Sequence, residues 1–221
     1  MDGIYRVAID GPAGAGKSTM AKILAKRLGI DYIDTGAMYR AIALKLIRTG
    51  TDYTNEEELL KMLADTDVDY YGGRVYLDGE DVSDHIRTPE VSDMASKSSA
   101  VPSVRDKLGD TQMAIAKKRS LLMDGRDIGT VIIPDAEFKF YLNASSRIRA
   151  YRRVCEMREK GIECDLDTVE QEIKDRDYRD SHRDYHPLKK AEDAIEIDTS
   201  DLKIAEVVDK MMEIISQQPT A

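Results

Sequence analysis

Tryptophan is absent from this 221-residue chain, and phenylalanine and cysteine occur twice each. Cys155 and Cys164 have no CxxC or CxxH spacing around them, which argues against a disulfide framework or a metal module and for two reduced thiols. No apolar run approaches the roughly 18 to 20 residues of a membrane span, and Met1-Asp2-Gly3 opens no signal peptide. A cytoplasmic protein with no membrane partner is therefore expected. Positive charge is also short: 33 Lys and Arg stand against 42 Asp and Glu, for a net charge of −9. Such a surface repels a phosphate backbone, so nucleic acid is not expected as a partner. Repeats, low-complexity tracts and long Pro/Gly/Ser linkers are missing too. The expectation is one elaborated domain spanning 1–221, long enough to bury a sizeable core, and a monomer.

What is present is a rhythm of short apolar strands and helices. YRVAID at 5–10 reads as a buried strand, followed by a Gly-rich turn and a helix-period run from Lys17 to about Leu28. Further strands are predicted at 120–124, 137–143 and 194–198, each bordering a helical pattern, which predicts an α/β fold with a parallel sheet. Thr54 with Glu57 and Asp167 with Glu170 have the spacing of capping boxes. A last helix is predicted to start near Ser200, with Ile204, Val207, Val208, Met211, Met212 and Ile215 facing the core. Residues 68–82 depart from the rhythm: they alternate with period two around Gly72-Gly73 and Asp78-Gly79. They read as a small antiparallel sheet, too short to stand alone and so an insertion.

The strongest chemical signal runs from Gly11 through Pro12, Ala13, Gly14, Ala15, Gly16 and Lys17 to Ser18, with Thr19 next, and fits GxxxxGK(S/T) between a strand and a helix. Its glycines let consecutive N–H groups point at phosphate oxygens, and the helix adds its positive end. Lys17 would neutralise β and γ phosphates and Ser18 would ligate Mg2+. No NKxD segment for guanine occurs, which favours ATP.

Three further segments together suggest a second anion site, and a fourth run adds to the clustered positive charge. In DTGAMYR (34–40) a strand from about Asp31 meets a turn at Gly36 and a helix carrying Tyr39 and Arg40; Thr35 could equally be an N-cap and Arg40 a solvated residue. In DGRDIGT (124–130) a strand ends at Asp124, and Arg126 and Asp127 follow in a loop, where ligands of open α/β sheets bind, though a polar turn reads the same. In RDYRDSHR (176–183) Arg176, Arg179, Asp180 and Arg183 can share a helix face that Pro187 would end. In RIRAYRR (147–153) Arg149, Arg152 and Arg153 fall on one side of a helix. Both Arg-rich runs could also be solvated charged faces. His85, His182 and His186 show no metal spacing and are expected as polar surface residues.

Taken together and in order, GPAGAGKST, DTGAMYR, IRTPEVS, DGRDIGT, the Arg-bearing run and RDYRDSHR resemble the bacterial-type cytidylate kinases nearly end to end. The resemblance implies a P-loop nucleoside monophosphate kinase-like three-layer α/β fold, with a central parallel sheet and a small antiparallel β-containing insertion. Its core would lie at about 1–34, 107–145 and 190–221, its monophosphate-binding region at about 35–106 with the insertion at about 66–100, and a lid at about 146–170. It further implies that Arg40, Arg126 and Arg183 hold the acceptor phosphate and that Arg176 and Asp180 hold the ribose. Ser96, Arg105 and Asp127 would read the base, with Thr35 and Tyr39 also at the acceptor. Arg149 and Arg153 would sit on ATP, and Lys17, Arg126, Arg183 and Arg152 would carry the chemistry. Thr35 stands where the family often has Ser. Several lid arginines are candidates for the transferring group.

The implied reaction is in-line transfer of the γ-phosphoryl group of MgATP to CMP or dCMP. No dedicated base is needed, because a phosphomonoester's second pKa is about 6. Asp124 is a candidate ligand to magnesium or to its water. Closure of lid and acceptor region would exclude competing water. Two other readings stay open at this point: a P-loop kinase for UMP or another small acceptor, and a non-catalytic nucleotide-dependent switch.

Overall fold

The computed structural model describes residues 5–159 and 161–217, which fall into two compact units, Tyr5–Tyr32 with Ser120 onward, and Ile33–Arg119.

The first unit is built on a five-stranded sheet. Its strands are β1 (Arg6–Asp10), β2 (Asp31–Asp34), β6 (Leu121–Gly125), β7 (Phe138–Asn143) and β8 (Ile195–Asp198), in the order β2-β6-β1-β7-β8. β1 pairs in parallel with both β6 and β7, and β7 with β8, so Asp10, Gly125 and Tyr141 lie level at the carboxyl ends. β1 is buried almost without interruption because both sheet faces are covered. Val7, Ile9, Leu122, Phe140, Leu142 and Ile197 pack with Met20 and Leu24 of α1 (Lys17–Leu28) and with Val207, Val208 and Met211 of α8 (Ile204–Gln217). The last helix therefore starts four residues later than the sequence predicts, and Ile204, expected in the core, is exposed.

Two further helices of this unit, α6 (Ser146–Glu159) and α7 (Leu166–His182), close on a small cluster of Ala150, Val154, Val169 and Ile173. The cap of α7 is Asp165, which accepts from the Thr168 amide at 2.9 Å, rather than Asp167. Glu170, freed from the predicted capping box, accepts from Ser146 and pairs with Arg147 and Lys174. Cys155 and Cys164 are free thiols. None of the helices among the described residues is long and apolar enough to cross a membrane.

The second unit holds α2 (Thr35–Thr49), α3 (Glu56–Ala64), a three-stranded antiparallel sheet of β3 (Val68–Tyr71), β4 (Arg74–Leu77) and β5 (Glu80–Asp81), and then α4 (Pro89–Ser98) and α5 (Pro102–Ala116). The period-two stretch is thus a sheet, with Val68 opposite Leu77 and Tyr70 opposite Val75 facing inward. Its strands end at Asp81, and α4 fills most of the remainder of 66–100. Met38, Ile42 and Leu46 of α2, Val104 and Leu108 of α5 and Leu59 of α3 are fully buried. α3 is capped by Asn55, which accepts from the Glu58 amide and donates back to the Glu58 carboxylate. Thr54 does not cap: its amide and hydroxyl both donate to Asp52 Oδ1, at 2.9 and 2.7 Å, and the cap position falls one residue later, at Asn55. No turn forms at Gly36: α2 follows β2 directly, and Asp34 rather than Thr35 caps it by accepting from the Ala37 amide at 2.8 Å.

Candidate active site

At the end of β1 the chain turns so tightly that a Cβ on Gly11 would lie 2.0 Å from the Leu142 carbonyl oxygen. Only glycine fits there, at φ +144°, and the turn brings Lys17 and Ser18 to the start of α1. The Lys17 ammonium is buried and donates to the Pro12 carbonyl at 2.7 Å. Burial first, and then the Arg126 guanidinium, holds it well below the ordinary lysine range, against the pull of Asp124 and Asp10. Ser18 donates its hydroxyl to Asp124 Oδ2 at 2.8 Å, and Tyr32 donates to Oδ1 of the same buried carboxylate at 2.7 Å. A hydroxyl and a carboxylate meeting at a phosphate-binding turn form a hard oxygen donor set suited to Mg2+.

The DGRDIGT and RDYRDSHR segments converge within the same unit. Arg126 donates from Nε to Asp180 Oδ2 at 2.8 Å and from Nη1 to its neighbour's carbonyl, Gly125, at 3.1 Å. Burial lowers the Arg126 pKa, yet Asp180 reverses this and raises it above the ordinary value. Asp180 is nearly fully buried; desolvation works against its charge, but Arg126 and Arg176 hold its carboxyl below the usual range. Arg176 sits one turn before Asp180 on α7 and its charge reaches Lys17. The helix does not carry all four predicted residues on one face: it ends at His182, Arg183 follows in extended conformation, and Arg179 is exposed. The stop comes well before Pro187. Arg183 is held instead by its Nε bond to the His186 carbonyl at 2.7 Å, with Nη2 3.9 Å from Asp127 and Nη1 3.9 Å from Asp180. His186, expected at the polar surface, is half-buried at φ +50°, stacks on Tyr185, and has Nδ1 4.0 Å from Asp127.

Arg149, Arg152 and Arg153 of α6 have different surroundings. Arg149 is buried beneath the phosphate-binding turn: Nε donates to the Ala144 carbonyl at 2.8 Å, Nη1 to the Ala13 carbonyl at 2.9 Å, and Nη1 pairs with Asp177 at 2.7 Å. Arg152 donates to the hydroxyl and carbonyl of Thr199, whose own hydroxyl donates to the Asn143 carbonyl. Arg153 is exposed, with no hydrogen-bond or ion-pair partner among the described residues.

In the second unit Asp34 gathers charge as well as capping α2: Arg40 donates to it at 3.1 Å and Arg87 lies 3.9 Å away. Thr35 is buried in the first turn. The buried guanidinium of Arg105 lies 5.4 Å over the Tyr39 ring and donates to the Ser99 carbonyl at 3.0 Å, while the Ser96 carbonyl accepts from Ser99. Sequence reasoning missed Asp10, Tyr32, Asp34, Arg87, Asp177 and Thr199. Asp10 and Asp34 each stand at a strand's carboxyl end beside a recognised motif, and that position was the available signal; Tyr32 and Asp177 carried none.

Comparison with known proteins identifies the family. A family model described as cytidylate kinase matches residues 7–217. The chain is 50% identical over 219 residues to a protein named cytidylate kinase from Lactobacillus johnsonii, with 97% of this chain and 95% of that one covered. It is 52% identical over 210 residues to one of the same name from Caldanaerobacter subterraneus subsp. tengcongensis, covering 95% and 94%. Among solved structures, a shikimate kinase from Bacteroides thetaiotaomicron superposes with a TM-score of 0.51 at 13% identity, covering 97% of this chain and 99% of that one, a likeness of fold.

Proposed function

The chain belongs to the cytidylate kinase family, and from that premise we propose how its residues phosphorylate CMP and dCMP at the expense of ATP. The observation that carries the reading is the meeting, in one unit, of Lys17 and the Ser18–Asp124 pair with the Arg126, Asp180 and Arg183 cluster. The turn at 11–18 binds the polyphosphate through its N–H groups, and Lys17 leaves the Pro12 carbonyl for the transferring phosphoryl group. Ser18 and Asp124 would hold Mg2+, directly or through water. When bound, Mg2+ neutralises charge on the β and γ phosphates.

Arg126 and Arg183 aim the acceptor phosphate, and their bonds to Asp180 and the His186 carbonyl fix the two guanidinium planes. Arg176 and Asp180 take the ribose hydroxyls. Asp127 accepts from the cytosine exocyclic amine, where uracil would set a carbonyl against its charge. Among residues 33–119 we assign Arg40 to a phosphate oxygen, Ser96 and Arg105 to the base, and Thr35 and Tyr39 to their support. Arg153 is the lid arginine with a guanidinium to spare for ATP, whereas Arg149 and Arg152 brace the turn from below. The attacking phosphate oxygen is already ionised at neutral pH, so no side chain is needed as base. No nucleic-acid or membrane partner enters this reading, and it needs only one copy of the chain.

Incubation with ATP labelled at the γ-phosphorus and with CMP tests it: label is expected in CDP, and only when CMP is present. Label released as inorganic phosphate independently of CMP would favour the switch reading instead.

A further inference from the structure

Asp10 lies outside every motif described above: it ends β1, just before the phosphate-binding turn. Its buried carboxylate accepts from the Ile128 amide at 2.9 Å through Oδ1 and from the Gly129 amide at 2.7 Å through Oδ2. These are the leading N–H groups of a single π-helical turn, Ile128–Ile132, whose internal bonds begin further on, with the Val131 and Ile132 amides donating to the Asp127 carbonyl. Leading N–H groups of a helical turn have no partner inside it. The residue at the N-cap position is Asp127, a type that ordinarily caps with its own carboxylate. Here it makes no such bond, and its oxygens lie 3.9 Å from Arg183 and 4.0 Å from His186.

We propose that Asp10 is a positioning residue for acceptor recognition: by capping the 128–132 turn in place of Asp127, it keeps the Asp127 carboxylate directed to the acceptor base. The inference rests on the assignment of Asp127 to base reading. Burial pushes the Asp10 carboxyl up to about 6, against the two amide bonds that stabilise its charge, with Asp127 and Lys17 as the charged groups nearest in effect. At pH 8 it is ionised and can hold both amides. An asparagine there offers one acceptor oxygen and an NH2 that opposes the second N–H. The turn then draws on the remaining carboxylate at its N-terminus, that of Asp127.

The test compares Asp10→Asn, Asp127→Ala and the double variant at pH 8, with MgATP and either CMP or UMP. Asp10→Asn is expected to raise the KM for CMP about tenfold and to erode the preference for CMP over UMP, with the KM for ATP within about threefold. In the Asp127→Ala background, Asp10→Asn is expected to add nothing, since its effect runs through Asp127. A residue that merely stiffened the phosphate-binding turn would raise the KM for ATP as well, and its effect would add. A CMP KM within about twofold of wild type, additive effects, or an equal loss for ATP would each overturn the proposal. If Asp127→Ala itself leaves CMP use intact, the base-reading assignment falls, and the inference with it. Should Asp10→Asn fail to fold, Asp10→Glu decides: it keeps the carboxylate but displaces its oxygens from the Ile128 and Gly129 amides. It is expected to raise the KM for CMP about threefold and spare ATP, and no selective change would overturn the proposal.

Discussion

Ser18 donates its hydroxyl to Oδ2 of Asp124 at 2.8 Å, tying the first turn of α1 to the carboxyl end of β6 across 106 positions of sequence. The carboxylate also accepts from Tyr32, so it is oriented from two sides. Asp124→Asn keeps the shape and removes the charge. It is expected to lower kcat about a hundredfold and to shift the Mg2+ requirement upward, because one of the oxygen donors becomes neutral. Tyr32→Phe, which removes only the orienting bond, is expected to cost a few-fold. Initial rates over a Mg2+ titration check both.

Lys17→Ala removes a buried amine whose pKa is held well below the ordinary lysine range, first by burial and then by Arg126. The expected loss in kcat is about a thousandfold. The fold should survive, since among the described residues the bond lost is the one to the Pro12 carbonyl. ADP release and far-ultraviolet circular dichroism measure the two effects separately. Near-normal turnover would contradict the assigned role.

Arginines that sit four residues apart on α6 separate by what they touch. Arg149→Ala leaves Asp177 without its ion pair and the Ala13 and Ala144 carbonyls without a donor, so a destabilisation of about 3 kcal/mol is expected by urea unfolding. Arg153→Ala should move stability by less than about 0.5 kcal/mol and lower kcat about tenfold or more. The reverse ordering would exchange their roles.

Much of the fold was legible because it follows from local chemistry. β1 reads as a buried strand since both its faces are covered, and Gly11 is demanded by a carbonyl 2.0 Å from any Cβ. The period-two alternation around Gly72-Gly73 gives the hairpin of β3 and β4. Helix starts were less legible: Thr54 and Asn55 are both capping types, and spacing alone does not show that Asn55 takes the position while Thr54 donates to Asp52. At the site, RDYRDSHR announced a set of positive charges but not its geometry. Arg183 leaves the helix and is aimed by the His186 carbonyl, which depends on a left-handed residue that no periodicity reveals. The roles of Asp10 and Asp177 depend on partners 118 or 119 residues away and on another helix, and were invisible for that reason.

Acid stability offers a further check. The folded-state pKa of Asp10, about 6, lies above the ordinary aspartate value of 3.8, so its contribution to stability is fully present below about pH 3.8 and is lost as pH rises through 6. The gap is worth about 3 kcal/mol. Asp180 has the opposite sign: its depressed pKa contributes stability above 3.8 that is lost only at still lower pH. Between pH 7 and 4, therefore, wild type should gain stability relative to Asp10→Asn by up to about 3 kcal/mol in urea titrations. A difference independent of pH would contradict the burial of an ionisable Asp10.

The most direct measurement is ADP release from MgATP across a panel of monophosphate acceptors. CMP and dCMP are expected to support fast release, UMP to support it far more slowly, and AMP, GMP or no acceptor to give background only. Equal rates with every acceptor, or release that needs none, would contradict the account.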